Sequence, residues 1–388
     1  MGLRRVFAKP VAMALLTMLA LAGAFVRVAA VGASEPAAGI GGNPPVAAHA
    51  DGPYLPPAGL RVPVGEEAGP AAPVASSAFA GMVVFVSGGD LWLDDLDDAD
   101  EPRLLIDNGD EQSSWSPRFV DRGNVSFVSE KGLEILDLTT GLRSVVAGND
   151  PWIGAYDWSP DGSRVAYMTS EWDEQRQVTR GYLRVVTRAG VAGEIPFSLI
   201  VPDGYCIHDP DGDFNVEFSP DGRFILVENV AAQPAASVTV VAVTGETILE
   251  PSHLVWSGFD HDGTLVAREL GTDDWVRLSL TSGRVEQLPV PDKARRPALS
   301  PLGRSIAVDD GVGTVTLIDL AHGESSRPLR GYLNPVWLDD ERVIAFAVRA
   351  CDQCEMPWEQ TGDATLFDAN FGERPLRIDF AQIDVLRR

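Results

Sequence analysis

Oxygen-bearing side chains alternate along one short segment of this sequence. Asp209, Asp211 and Asp213 occupy every second position there. Calcium-binding loops use such spacing because Ca²⁺ takes about six to eight oxygen ligands. The glycine of this segment, however, falls at the fourth position instead of the sixth, and no acidic residue stands in register to close the loop. A solvated acidic turn is the favoured interpretation, and Ca²⁺ is the one cofactor that the sequence leaves open.

Two of the three cysteines stand close together. Cys351 and Cys354 are separated by two residues, and in an exported protein such a pair can form a small disulfide loop that leaves Cys206 unpaired. With Cys206 and His208 they also supply the ligand types of a zinc site. We favour the disulfide over a zinc site and over free thiols.

Two aromatic and two basic residues stand where a ligand could reach them. Trp172 and Trp358 lie in polar segments, predicted as loops, beside acidic residues. Such a ring can stack on a sugar or anchor a protein, but it can equally fold over its own loop. Arg295 and Arg296 lie in a predicted connection and could receive a carboxylate, although such clusters often only balance neighbouring acids. The candidate ligand-binding residues are Trp172, Trp358, His208, Arg295 and Arg296.

Patterns of catalytic residues are scarce. No Gly-x-Ser-x-Gly motif occurs, so the nucleophile elbow of serine hydrolases is missing from the sequence. Of the five histidines, only His208 and His253 stand outside the N-terminal linker and the tight turns, where a general base could work. Acidic residues are too numerous to single out the carboxylate pair of a glycosidase. We therefore expect no catalytic residues.

Composition excludes two classes of partner. The chain has 388 residues, of which 45% are hydrophobic and 22% charged, so most of it can bury a core. Acidic residues outnumber Lys and Arg by 56 to 31, and the net charge of −25 repels nucleic acids and anionic lipids. No nucleic acid is expected as a partner, and a membrane is expected only through a possible N-terminal anchor.

The N-terminal segment is unlike the rest. In residues 1–33, Arg4, Arg5 and Lys9 precede an apolar run that ends in small residues. These are the parts of a secretory signal peptide, although about 17 apolar residues can also span a bilayer as an uncleaved anchor. Both alternatives predict an extracytoplasmic protein, secreted or tethered to the outer side of the cytoplasmic membrane. Residues 34–78 are rich in Ala, Pro and Gly and predict a disordered linker.

A repeat governs residues 79–388. Residues 158–162 read Trp-Ser-Pro-Asp-Gly and residues 218–222 read Phe-Ser-Pro-Asp-Gly, each before a β-prone run. Pro presets a tight turn, Asp caps it and Gly supplies a positive φ, so each motif joins two strands. The steps between successive copies are 43, 60, 38, 43 and 38 residues, which suits four-stranded units. Weaker copies, with an inner strand expected to end at each, begin at Trp115, Trp256, Leu299 and Trp337.

Four-stranded sheets hide their faces when they pack around an axis, which gives an all-β fold, a β-propeller. Residues 82–106 supply three strands, and residues 382–386 can supply the missing inner strand of a seven-bladed ring; six or eight blades stay open. The motifs resemble the TolB-like propeller repeat, a relative of the WD repeats, over about residues 79–388. The resemblance implies a fold shared by binding modules and enzyme accessory domains, so it implies no particular function.

Three long segments are expected on one face of this ring: residues 170–180, 202–215 and 349–363. Long loops in a compact repeat are often functional. The leading hypothesis is an exported, non-catalytic, monomeric propeller that binds a protein, a peptide or a glycan on this face. The alternative is a carbohydrate-active lyase or hydrolase that works in the mouth of the propeller. A shared zinc site is disfavoured, because Cys206 and Cys351 would belong to nearly opposite blades.

Overall fold

The computed structural model describes the chain between residues 81 and 385, with gaps. The described residues are 81–98, 101–108, 115–148, 153–173, 178–190, 192–201, 214–229, 237–252, 254–290 without 271 and 273, 295–325 without 324, 328–350, 358–368, 372–376 and 383–385. Residues 1–80 lie outside them, so the signal segment, the anchor alternative and the linker stay predictions. Within the described part, no helix has the length and apolar character needed to cross a membrane.

The described strands form seven antiparallel sheets of four strands each, which we number as blades one to seven. Blade one contains β1 (Met82–Ser87), β2 (Asp90–Asp95) and β3 (Arg103–Ile106). Blade two contains β4 (Trp115–Asp121), β5 (Asn124–Ser129), β6 (Gly132–Asp137) and β7 (Arg143–Ala147). Blade three contains β8 (Tyr156–Trp158), β9 (Arg164–Asp173), β10 (Val178–Thr187) and β11 (Ala192–Val201).

The remaining blades follow in chain order. Blade four contains β12 (Phe214–Phe218), β13 (Phe224–Asn229), β14 (Ser237–Ala242) and β15 (Thr247–Ser252). Blade five contains β16 (Leu254–Phe259), β17 (Leu265–Glu269), β18 (Trp275–Leu278) and β19 (Val285–Gln287). Blade six contains β20 (Arg295–Leu299), β21 (Ser305–Asp309), β22 (Thr314–Asp319) and β23 (Leu329–Arg330). Blade seven contains β24 (Tyr332–Trp337), β25 (Val343–Ala350), β26 (Trp358–Phe367) and β27 (Glu373–Leu376), and β28 (Ile383–Val385) returns to blade one.

The N-terminal and C-terminal described strands meet in blade one. β28 pairs antiparallel with β1, with Val385 opposite Val83 and Ile383 opposite Phe85. β28 thus takes the innermost position of that blade. The prediction that a C-terminal strand completes the blade is confirmed, and so is the count of seven blades; the alternatives of six and eight are wrong.

The repeated motif makes the turn between the first and second strands of a blade, as predicted. In blade three, the Ser159 hydroxyl accepts a hydrogen bond from the Arg164 backbone N–H (3.0 Å) and donates one to Asp161 (2.6 Å). Asp161 also accepts from the Ser163 backbone N–H (3.0 Å). Gly162 has a φ of 64°, which favours glycine because it has no β-carbon. Blade four repeats these contacts with its own Ser-Pro-Asp-Gly residues.

Two weaker copies of the motif lie inside strands instead of forming turns. Trp115 begins β4, which continues to Asp121, and Trp256 lies within β16. In both strands the register shifts beside the motif, and such a bulge accommodates extra residues without ending the strand. The prediction that inner strands end near residues 115 and 256 is therefore wrong. β4 ends at Asp121 and β16 ends at Phe259.

Apolar side chains fill the space between neighbouring blades. Seven buried clusters occur in the described residues, and each joins two adjacent blades. Val83 and Phe85 of blade one pack with Ile344 and Phe346 of blade seven, which closes the ring. Burial of one such side chain contributes about 1.5 to 3 kcal/mol, so the blades are held together mainly through their faces.

Successive turns of a blade lie alternately on two faces of the ring. Counted from the axis outwards, the turns between strands one and two and between strands three and four lie on the first face, here named the turn face. The hairpins between strands two and three, and the crossings between blades, lie on the opposite hairpin face. β1 is a second strand, so the described chain enters the ring at the turn face, and β28, a first strand, runs back toward it.

Candidate functional site

Three strands of blade three are longer than their counterparts. β9, β10 and β11 have ten residues each, whereas strands two to four of blades one, two, four, five and six have two to six. Their far ends stay paired, with Trp172 opposite Thr179 and Arg180 opposite Ile200. The expectation of a loop is therefore wrong for residues 170–173 and 178–180, because their backbone groups pair with each other although most of their side chains are polar. Residues 174–177 lie outside the described part of the chain. We define residues 170–173, 178–181 and 198–201 as the blade-three extension.

Blade seven carries a second, two-stranded projection. β25 has eight residues and β26 has ten, and Ala350 lies opposite Trp358. The expected loop at residues 349–363 is thus largely strand, and residues 351–357 lie outside the described part of the chain. We define residues 348–350 and 358–360 as the blade-seven extension. Trp172 and Trp358 therefore lie in paired strands, one in each extension, and their role in binding stays a prediction.

Both extensions rise from the hairpin face. In blade three, the last residue of the inner strand pairs with Val165, and β9 continues for eight more residues to Asp173. In blade four, the last residue of the inner strand pairs with Ile225, and β13 continues for four more residues to Asn229. At about 3.3 Å per residue, this difference of four residues corresponds to about 13 Å. The described strands of blade three therefore extend well beyond those of blade four.

Hydrogen bonds from blade six support the base of the blade-seven extension. The Val348 backbone N–H donates to the Gly331 carbonyl (2.9 Å), and the Gly331 N–H donates to the Gly313 carbonyl (2.7 Å). Gly313 has a φ of 108°, and a β-carbon there would come within 3.3 Å of the Val348 side chain. In the same hairpin the side chain of Val312 is 65% exposed, so an apolar contact is available beside this extension.

Carboxylates on the inner strands link each blade to the next. Asp384 accepts a hydrogen bond from the Phe119 backbone N–H (2.9 Å). Asp157 accepts one from the Phe218 N–H (2.8 Å). Glu217 accepts a longer hydrogen bond (3.4 Å) from the backbone N–H of Phe259, the last residue of β16. The three acids hold blades one to two, three to four and four to five together.

A second set of buried acids caps bulged strands. Glu228 accepts a hydrogen bond from the Ser257 backbone N–H (3.1 Å), and Asp309 accepts one from the Asn334 N–H (3.2 Å). Both donors lie where the inner strand of the following blade shifts register. A bulge leaves a backbone N–H without its ladder partner, and a buried N–H needs an acceptor. These acids therefore serve the packing of the ring.

Polar side chains meet at the junction of blades one to three. Arg118 lies 3.6 Å from the carboxylate of Asp384. The Tyr156 hydroxyl donates to the Ser116 carbonyl (2.5 Å) and lies 3.1 Å from the Ser126 hydroxyl. Burial raises the pKa of Tyr156 far above its ordinary value, so this phenol stays protonated and acts as a structural donor.

The turn face holds a buried carboxylate between blades five and six. Asp260 is 1% exposed and pairs with Arg277 (2.7 Å), and its other oxygen lies 2.5 Å from Nδ1 of His261. Gly303 of blade six faces this carboxylate, and a β-carbon at Gly303 would overlap it. His261 lies in the repeat turn, as predicted, on the face opposite the two extensions.

The sequence predicted that Arg295 and Arg296 lie in a crossing between blades, and this prediction is wrong. They begin β20, the inner strand of blade six, where Arg295 lies opposite Asp309. The strand starts earlier than expected because the register shift between Arg295 and Ala298 lets it continue past Pro297. Their role toward a ligand stays a prediction.

Several predicted site residues lie outside the described part of the chain. The calcium, zinc and disulfide predictions are therefore untested. Within the described residues, no three His, Cys, Asp or Glu side chains are placed together to hold a metal ion. The predicted residues that lie outside are Cys206, His208, Asp209, Asp211, Asp213, Cys351 and Cys354.

The sequence contained a signal for the inner carboxylates that motif reasoning missed. Asp157 and Glu217 directly precede the aromatic residue of the repeat, and Asp384 holds the equivalent position in β28. A charged residue at this point of an otherwise apolar strand indicates a specific hydrogen-bond partner, because buried polar groups are nearly always paired.

No family model matches this chain, and no curated protein matches its sequence. Solved structures do resemble it. An oligogalacturonate lyase from Vibrio parahaemolyticus is 12% identical, with a TM-score of 0.50 over 66% of this chain and 80% of the lyase. An oligogalacturonate lyase in complex with manganese is also 12% identical, with a TM-score of 0.51 over 66% of this chain and 79% of that one.

TolB from Acinetobacter baumannii is 17% identical, with a TM-score of 0.41 over 68% of this chain and 67% of TolB. At 12% identity, the two lyases show the fold and not the activity. The likeness is one of architecture. Membership of the TolB-like family stays a prediction from the repeat motif.

Proposed function

We propose that this chain is an exported, non-catalytic propeller that binds a protein, a peptide or a glycan on its hairpin face. The pair of strand extensions on blades three and seven carries this proposal. Ordering such strands costs conformational entropy, and they continue past the level at which the described strands of the other blades end. A role in contact with a partner accounts for them better than a role in the stability of the ring.

The direction in which the chain enters blade one also supports a binding site on the hairpin face. The chain enters blade one at the turn face, and its last described strand runs back to that face. The segment that precedes Gly81 therefore joins the propeller on the side opposite the extensions. The extensions thus lie on the face by which the described chain does not enter the ring.

The inner carboxylates support binding without catalysis. A general acid or base exchanges a proton with its substrate. Asp384, Asp157 and Glu217 instead accept hydrogen bonds from the backbone of the next blade. Their contacts are explained by the joining of blades.

Affinity capture with the full chain tests the proposal. The immobilised protein is exposed to the extracytoplasmic fraction of the source cells, and each captured molecule is purified and titrated. Trp172→Ala and Trp358→Ala are each expected to weaken binding at least about tenfold, because aromatic anchors dominate binding energy.

Leu142→Ala is the matched control for these variants. Leu142 is apolar and 71% exposed, but it lies at the turn face, so this variant should bind like the wild type. Binding that survives both tryptophan substitutions, or that depends on Leu142, contradicts the proposal.

A further inference from the structure

The outermost strand of blade three has a long edge. In the described part of the chain, β11 pairs with β10 alone and is the last strand of its sheet. It has ten residues, whereas the outermost strands of the other blades have two to six. An edge strand directs every second backbone N–H and C=O away from its sheet, which makes it a template for another strand.

The half of β11 within the extension lacks the residue types that usually protect an edge strand from such pairing. Residues 198–201 read Ser-Leu-Ile-Val, without charge, proline or glycine, and they keep a regular register with β10. Pro196 and the strand's only charged residue, Glu194, both lie in the half nearer the ring, at or beside the register shift. The protective features therefore leave the projecting half untouched.

The blade-seven extension shows the contrast. β27 pairs with β26 only from Ala364 onward, so residues 358–363 have no described strand on their outer side. That segment contains Glu359, Gly362 and Asp363. Charged residues and glycine discourage the addition of a strand. Of the two projecting edges, the one on blade three is the edge suited to pairing.

We infer that residues 198–201 receive an extended segment of the binding partner, which adds to blade three as a fifth strand; this inference rests on the proposed function. Backbone hydrogen bonds would supply affinity, and alternate side chains would supply specificity. The net charge of −25 selects a segment that carries Lys or Arg among β-branched residues, and within the extension Glu171 and Asp173 outnumber Arg180. The same charge opposes a second copy of this chain.

A labelled synthetic peptide in which Val and Thr alternate with Lys is the probe for this edge. Titrated against the full chain, it should bind at least about tenfold more tightly than its counterpart with Glu in place of Lys. An N-methylated version, which lacks backbone donors along one edge, should lose binding by a similar factor.

Two neighbouring proline substitutions locate the contact. Consecutive residues of an antiparallel edge direct their N–H groups alternately inward and outward. One of Leu199→Pro and Ile200→Pro should therefore abolish peptide binding with an unchanged thermal midpoint, and the other should lower the midpoint. Thr361→Pro, on the outer edge of β26, is the control and should bind the peptide like the wild type.

Three results would overturn the inference: peptide binding that survives both prolines, equal binding of the Glu peptide, or a dimer of the full chain that either proline dissociates. The first two leave the proposed function intact if partner capture still depends on Trp172 and Trp358. Loss of that dependence with peptide binding retained would instead remove the proposed function and keep the edge as a strand acceptor.

Discussion

Single carboxylates on the inner strands determine how well neighbouring blades dock. Asp157 is the clearest case, since its carboxylate accepts from the Phe218 N–H at 2.8 Å across a blade boundary. Replacement of Asp157 by Ala leaves that N–H without this acceptor. We expect a loss of about 1 to 3 kcal/mol in the free energy of unfolding, measured by urea denaturation. Asp157→Asn retains an acceptor oxygen and should recover much of the loss; an Ala variant as stable as the wild type would disprove this role.

Aspartates in the turns should make the fold sensitive to acid. A hydrogen bond from Ser159 is the main cause that lowers the pKa of Asp161 to about 2, from an ordinary 3.8. The backbone N–H of Thr140 lowers the pKa of Asp137. A hydrogen bond from the His322 side chain lowers the pKa of Asp319. Because these groups bind protons more weakly in the folded chain, their stabilisation is complete above about pH 4 and is lost progressively toward pH 2.

Thermal midpoints measured between pH 7 and pH 2 check this expectation. The midpoint should fall with the pH below about 4. Asp161→Asn removes one titrating group and should flatten the fall. A midpoint that is constant or rises on acidification would show that the turn carboxylates do not control acid stability.

At the scale of the strands, the sequence predicts the turns that depend on short motifs. It misses the bulges and strand extensions that depend on pairing. The Ser-Pro-Asp-Gly turns follow from local side-chain capping, and they were predictable. The bulges in β4, β16 and β20 depend on pairing with partner strands, and the bulge in β16 depends also on buried Glu228 of the adjacent blade, so motif spacing alone misplaced Trp115 and Trp256. The polar residues of the two extensions suggested loops for a related reason, because backbone pairing outweighed their composition.

Hydrogen exchange distinguishes a paired extension from a loop. In the structure, residues 179–181 of β10 lie between β9 and β11 and pair with both. Their amides should therefore exchange more slowly than the amide of Gly88, which lies exposed in the turn between β1 and β2. Mass spectrometry of peptides covering both regions provides the comparison. Equal, fast exchange would restore the loop interpretation.

At the scale of the molecule, three residues near the C-terminus complete the ring. β28 pairs with β1, and Asp384 also binds the backbone of blade two. A chain that stops before Ile383 should unfold at a lower temperature, because blade one then loses its inner strand. A chain that stops after Val385 is the matched control and should behave like the full chain. Equal midpoints for the two would contradict this closure.

The number of blades was predictable because an incomplete N-terminal unit needs a strand from elsewhere in the chain. The candidate site was less predictable, since its height above the ring depends on how far β9, β10 and β11 continue as a sheet. Neither the number of blades nor the length of these strands identifies the ligand, because many functions share this architecture.

A variant that removes the β9 and β10 parts of the blade-three extension tests the central claim most directly. Thr169 lies opposite Tyr182, so an Asn-Gly turn in place of residues 170–181 should join β9 to β10 without strain. Calorimetric titration of a purified captured partner is the measurement. The account predicts that this variant stays folded and loses binding; a folded variant that binds with wild-type affinity would contradict it.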